Sequence, residues 1–361
     1  MPENSSSDSI NRVTDPWRRI RGTYSSLIHY CQVSLQSPST TMAATFFFLL
    51  SVLLLLGAAS SSKETISPVS YWNKLLPKTP IPKSLHAFLP AGSTDPSQSK
   101  YASSVPFDRC SWQEYKHGAT LDEVIQGGHG LRFLFLEQNL KPGSKTKKLD
   151  FEKKIRWPTL IPRKEAEAFP FSTSKLGDIL KQFKIDPNSA TASKLRQTLK
   201  DCEREPDEGE TSFCATSLES LADFAVSQLK TDDIQLLTYS FVNKEEKDPK
   251  SRVYTVQHGV VELASRRAVA CHIESYPYAV FYCHTTVNTK TYIVPLIAEE
   301  DGTRLSAGAV CHIDTTSWNP KHATMLALGI KPGTPVCHFL SHGHFMFVPN
   351  SASEEIPMQM A

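Results

Sequence analysis

The sequence lacks a charge excess of either sign: 39 basic and 37 acidic side chains leave a formal charge of +2, so there is no basic footprint for nucleic acid. It also has no G-x-G-x-x-G, no P-loop and no H-E-x-x-H, so neither nucleotide handling nor zincin chemistry has motif support. With 40% hydrophobic and 21% charged residues it is globular in composition, long enough for one large domain plus extensions. Cysteine is scarce too, eight in 361 residues, but half of it is spent on one pattern.

That pattern is a Cys placed directly before a His: Cys271-His272, Cys283-His284, Cys311-His312 and Cys337-His338, with ten, twenty-six and twenty-four residues between successive pairs. Cys and His combine soft-metal ligation, disulfide chemistry and proton transfer near neutral pH, so the repeat points to a metal or redox site.

Residues 43 to 59 form a charge-free run rich in Phe and Leu that ends in small residues. This is the shape of a secretory signal with its cleavage site, at a length marginal for a membrane span. Residues 1–41 precede Met42 and read as a gene-model extension, with 42–60 the signal peptide. No stable membrane span is expected after cleavage, and an oxidising compartment would let the cysteines pair. Residues 61–131, interrupted by Pro77, Pro80, Pro82, Pro90 and Pro96, read as a flexible spacer or propeptide without a core of its own.

Compact structure is expected from about Leu131, where Leu131 to Leu136 reads as a strand. The basic stretch from Lys145 to Arg156 reads as a solvated face. Helices are expected over Ser174–Phe183, Ser189–Cys202 and Ser217–Leu229, the last capped by Ser217. From Tyr254 the pattern turns to short strands, including Ala268–Ile273, Ala279–His284, Thr291–Ile297, Ala309–Ile313, Pro335–Leu340 and Phe345–Val348, interrupted by a helix near 320–328. The fold class is α+β: helices, then an antiparallel sheet that carries every Cys-His pair, and a tail over 350–361.

Side chains alternate along a strand, so adjacent Cys and His must face opposite sides, thiols on one and imidazoles on the other. A hairpin centred on Pro277 sets Cys271 opposite Cys283 at a spacing a disulfide can bridge, and makes His284 the diagonal neighbour of His272. The four paired cysteines still allow three connectivities. Cys202 and Cys214 read as a local disulfide. Alternation in the last strand puts His338, His342 and His344 on one face; His342 and His344 are candidate ligands or proton shuttles, or equally ordinary half-buried polar residues. Imidazoles without thiolate suit copper(II) or zinc, and an oxidising compartment favours copper over zinc.

The four dipeptides with these spacings, together with Phe135-Leu-Glu-Gln-Asn-Leu140, Cys202-Glu203, Gly209-Glu210, Cys214 to Ser220 and Phe345 to Pro349, resemble the signature of the plant BURP-domain family over 132–349. The resemblance implies a family-specific α+β fold and a secreted, cell-wall or vacuolar protein of stress, seed or reproductive development. It implies His272, His284, His312 and His338 as copper ligands and Cys271, Cys283, Cys311 and Cys337 as structural cysteines. Some members are autocatalytic peptide cyclases that use copper and oxygen to crosslink Trp or Tyr side chains in a peptide, in cis or in trans; here Trp72, Trp112 and Tyr115 are the candidate acceptors. The chain departs from that subgroup in having no repeated core peptide, and from members associated with polygalacturonase in having no Phe-x-x-Tyr repeats. A noncatalytic protein with a structural metal-disulfide centre, or a partner of a cell-wall polysaccharide or its hydrolase, is the alternative.

Overall fold

A computed structural model of the chain describes residues 66–90, 130–151, 157–206, 210–242, 250–263, 267–286, 288–321 and 323–350. Residues 1–65, with the expected signal peptide, lie outside this set, as do Cys110, Trp112 and Tyr115.

Two helices come first, α1 (Pro68–Leu75) and α2 (Lys83–His86). After a 3-10 turn over Gly130–Phe133 the chain forms β1 (Leu134–Phe135) and β2 (Lys145–Leu149), then α3 (Arg163–Ala166), α4 (Leu176–Gln182) and α5 (Ala190–Glu203). Strand β3 (Ser212–Ala215) and α6 (Leu218–Leu229) follow. The remainder is β4 (Ile234–Leu237), β5 (Tyr239–Val242), β6 (Arg252–Val256), β7 (Val261–Leu263), β8 (Ala268–Glu274), β9 (Val280–Thr286), β10 (Thr289–Ala298), β11 (Arg304–His312), α7 (Ala323–Leu328), β12 (Val336–Phe339) and β13 (His344–Pro349).

The helices start where side chains satisfy their open backbone donors. Ser189 accepts from the Ala192 N–H at the start of α5, and Ser217 and Ser220 cap α6 reciprocally. The apolar face of α6, including Leu218, Leu221, Ala222 and Ala225, is fully buried.

The strands form two antiparallel sheets where one was expected. An eight-stranded sheet runs β1-β12-β11-β10-β6-β2, with β5 paired to β11 and β7 to β10; a five-stranded sheet runs β3-β9-β8-β13-β4. Two Cys-His pairs therefore lie in each sheet. Two other expectations are corrected and one is met. Leu131 to Leu136 is mostly a 3-10 turn with a two-residue strand, because Leu131, Phe133 and Leu134 are all buried and strict alternation cannot bury them. Lys145–Leu149 is an edge strand, its lysines exposed as expected of a solvated face. And residues 66–90 are not a spacer: Trp72, Leu76, Leu85 and Phe88 are fully buried, packed with α6, β8, β9 and β13. Trp72 donates its indole N–H to the Thr79 carbonyl at 2.7 Å, and Leu160 N–H bonds the Phe88 carbonyl at 2.7 Å. The prolines here bound short helices, Pro68 opening α1 and Pro82 standing just before α2, without preventing burial.

Candidate metal centre

In the β8–β9 ladder Cys271 is directly opposite Cys283, His272 opposite Tyr282 and Ala270 opposite His284. The hairpin register read from the sequence is the one observed, and a disulfide joins Cys271 to Cys283. Cys311 faces Cys337 across β11 and β12 and is bonded to it, and Cys202 is bonded to Cys214 with Cα atoms 5.6 Å apart. Loops of 12 to 26 residues closed in this way restrict the unfolded chain by about 3 kcal/mol each in the chain-entropy model.

Alternation then divides the side chains. The Cys271–Cys283 bridge joins the core beneath α1 and α6, and the Cys311–Cys337 bridge joins the core of the larger sheet with Phe339 and Tyr254. The histidines take the opposite faces. His272 and His284 share a face with Ala268, Ala270 and Met346; His338 pairs Val310, and His312 pairs Val336. Ala268, Ala270, Met346 and Val348 of one sheet and Val310 of the other belong to one apolar cluster, so this layer lies between the sheets. A second cluster, with Leu134, Tyr282, Met325 and Val336, bounds it on the side of α7. His272, His284 and His338 are buried; His312 and His344 are half-buried at its margin.

Three rings form a chain. His272 Nδ1 lies 2.8 Å from His344 Nδ1, and His272 Nε2 lies 3.4 Å from His284 Nε2. His284 Nδ1 lies 3.2 Å from the Thr285 carbonyl and 3.5 Å from Glu210 Oε1. A carbonyl can only accept, so His284 Nδ1 carries its proton; with every ring neutral, His272 Nε2–H donates to His284 and His344 Nδ1–H donates to His272. The second pair, His312 and His338, is stacked with centroids 5.8 Å apart, and Trp318 lies 5.4 Å from His312. His338 Nδ1 lies 3.4 Å from the Phe339 carbonyl. Burial pushes the His338 pKa down to about 4; the Phe339 carbonyl opposes this and the nearby His284 adds to it.

The last strand departs from expectation. His338 ends in β12 of the larger sheet and His344 opens β13 of the smaller, with the chain reversing at Gly343 (φ +82°), so 338, 342 and 344 do not share one strand face. His342 joins neither pair. Its Nδ1 is 2.7 Å from the Tyr239 hydroxyl, it stacks on Trp157 at 4.6 Å, and burial pushes its pKa down to about 4. Glu210 is the residue sequence reasoning missed; β3 brings it in, because Ser212 pairs His284. Trp72 is a core side chain packed on Phe347, not part of an exposed peptide.

Among the described residues no three His, Cys, Asp or Glu side chains are already spread as a metal cage. The donor chemistry nevertheless suits an ion. The sulfurs are spent in disulfides, the rings are desolvated, and His284 and His338 each turn Nδ1 to a carbonyl, the outer contact that leaves Nε2 as the ligating atom in metal sites.

The family model for the BURP domain matches residues 133–349. The chain is 39% identical to BURP domain-containing protein 5 of Oryza sativa subsp. japonica, over 77% of this chain and 86% of that protein. It is 41% identical to BURP domain-containing protein 3 of the same organism, over 64% of this chain and 54% of that one. To BURP domain protein RD22 of Arabidopsis thaliana it is 40% identical over 52% of this chain and 48% of the relative. The chain belongs to the BURP-domain family. It spans about half the length of the second and third of these relatives. No helix among the described residues is long and apolar enough to cross a membrane.

Proposed function

We propose that this is a secreted, plant stress- or development-associated BURP-domain protein whose inter-sheet histidines hold copper, with His272 and His284 from one sheet and His312 and His338 from the other as ligands. The observation that carries the reading is the separation of sulfur from nitrogen: the disulfides brace the outer face of each sheet, and imidazoles rather than thiols are presented between them. Such a donor set suits copper(II) ahead of thiolate-preferring states, with zinc the weaker fit. For both rings to hold one ion the His272 proton must move from Nε2 to Nδ1, and because an imidazolium cannot ligate, binding weakens on acidification. Deep burial of three of the four rings favours a closed, structural centre that adds to folding free energy. Titration of the purified whole chain with Cu(II) and Zn(II), followed by calorimetry and electron paramagnetic resonance, tests this. Nitrogen hyperfine coupling and a raised melting temperature are expected, both lost in His272→Ala/His284→Ala; an unchanged melting curve with no nitrogen coupling rejects it.

A second reading is oxidative peptide cyclisation, which the half-buried His312 and His344 at the margin of the layer favour. That reaction removes two hydrogens from a peptide, one of them from a Trp or Tyr side chain, with dioxygen as the acceptor. These rings would bind and orient, and the surrounding apolar clusters would exclude water. Mass spectrometry after incubation with Cu(II) and oxygen decides it: loss of two hydrogens in a peptide carrying Trp112 or Tyr115, or in a supplied peptide, is the expected signature, and unchanged masses in both remove it.

A further inference from the structure

The eight-stranded sheet curls so that its two edge strands, β1 and β2, border a single cleft of about 180 Å³. Its floor is apolar: Phe135 and Phe339 stand ring to ring at 4.4 Å, Phe339 buried and Phe135 half-buried. Its rim is cationic, with Arg132, Lys145 and Lys147, and no carboxylate lines it among the described residues. Lys145 is paired with Glu299 at 2.9 Å. Arg132 is exposed and forms no ion pair among the described residues. Among the described residues Lys147 reaches only the Leu131 carbonyl, at 3.4 Å. Although the residue as a whole is exposed, desolvation around its ammonium lowers the Lys147 pKa, so this group gains from an anion beside it. Asn139 spends its side-chain oxygen on the Leu136 N–H, leaving its amide N–H groups as donors at the rim.

We propose that this cleft binds a small ligand carrying one carboxylate on a six-membered ring, the carboxylate held by Arg132 and Lys147 and the ring seated against Phe135. The size is that of a fragment, well below the clefts that hold drug-sized molecules, so one ring fills it. Arg and Lys beside an aromatic surface supply two separate forms of recognition: a charge-assisted grip on the carboxylate and apolar contact with the ring. A bare anion gains only the first, and a neutral ring only the second. The cleft lies on the opposite face of β12 from His338, since Phe339 points into it, and its occupancy does not depend on the metal reading.

The test uses the whole chain, titrated by calorimetry and heteronuclear NMR with benzoate, cyclohexanecarboxylate and glucuronate, and with acetate and sulfate as bare anions. The expected result is a dissociation constant of about 1 mM or tighter for at least one ring carboxylate. It should weaken at least tenfold in Arg132→Gln and in Lys147→Gln, weaken in Phe135→Ala, and be unchanged in Lys148→Gln, whose side chain does not line the cleft. Whether the sugar acid or the hydrocarbon acids bind best tells which source the cleft serves. Acetate or sulfate binding as tightly as every ring acid, binding indifferent to Arg132 and Lys147, or no binding at all overturns the proposal. Melting curves of each variant confirm that the fold persists, so that lost binding reports on the cleft.

Discussion

His272 and His344 are directly opposite each other across β8 and β13, and their Nδ1 atoms lie 2.8 Å apart. His344 thereby fixes which nitrogen of His272 faces His284. Once the His272 proton sits on Nδ1 and is donated to His344, Nε2 is left bare, which is the outer contact that tunes a metal ligand. His344→Ala is therefore expected to leave the melting temperature of the metal-free protein nearly unchanged while weakening Cu(II) binding about 10- to 100-fold. Calorimetric titration against the unsubstituted chain measures it.

Acid should destabilise the metal-free protein over a defined window. His338 and His342 are both held near pKa 4 in the fold, against about 6.5 when unfolded. Above pH 6.5 neither state binds these protons and there is no effect. As the pH falls from about 6.5 to 4 the unfolded chain takes up protons that the folded one refuses, so stability drops; below 4 the loss levels off. For the buried His338 the full loss is on the order of 3 kcal/mol, and less for the partly exposed His342. Urea melts at intervals across that range, repeated with His338→Gln, should show a flatter profile in the variant.

Trp72 tests the docking of the segment that precedes the domain. It is fully buried, bonds Thr79 and packs on Phe347. Trp72→Ala should lower unfolding free energy by about 3–5 kcal/mol, whereas Val69→Ala on the exposed face of α1 should change it by less than about 0.5 kcal/mol. Chemical denaturation of the whole chain distinguishes the two.

Gly343 turns the chain between the sheets at φ +82°, and a Cβ there would lie 2.6 Å from Ile273 Cγ2. Gly343→Ala combines backbone strain with overpacking and is expected to cost about 2–4 kcal/mol. Because the turn sets where β13 begins, the same change should also displace His344. A shifted His344 ring resonance, seen by NMR in the folded fraction, checks the second effect.

Much of the centre was legible because it rests on a period of two. Once Ala268–Ile273 and Ala279–His284 are read as a hairpin, opposition of Cys271 and Cys283 and the diagonal placement of His272 and His284 follow from arithmetic, and the observed ladder has that register. The N-cap of α6 at Ser217 was equally local. What could not be read is what long-range packing decides. Nothing local says that β12 and β13, four residues apart, enter different sheets, and that division removes His342 from the group expected around it. Glu210 reaches His284 only through the pairing of β3 with β9. Trp72 and Phe88 sit among prolines and polar residues, and their burial depends on a groove made by α6, β9 and β13 far along the chain.

The start of the match to the family model, residue 133, does not coincide with the boundary of the packed unit, which reaches back to residue 66. A protease cut between Pro90 and Gly130 would convert the molecule into two polypeptides that stay together, because Trp72, Leu76, Leu85 and Phe88 remain plugged into the larger piece. Processing there would change the mass seen on a denaturing gel and leave the native particle intact.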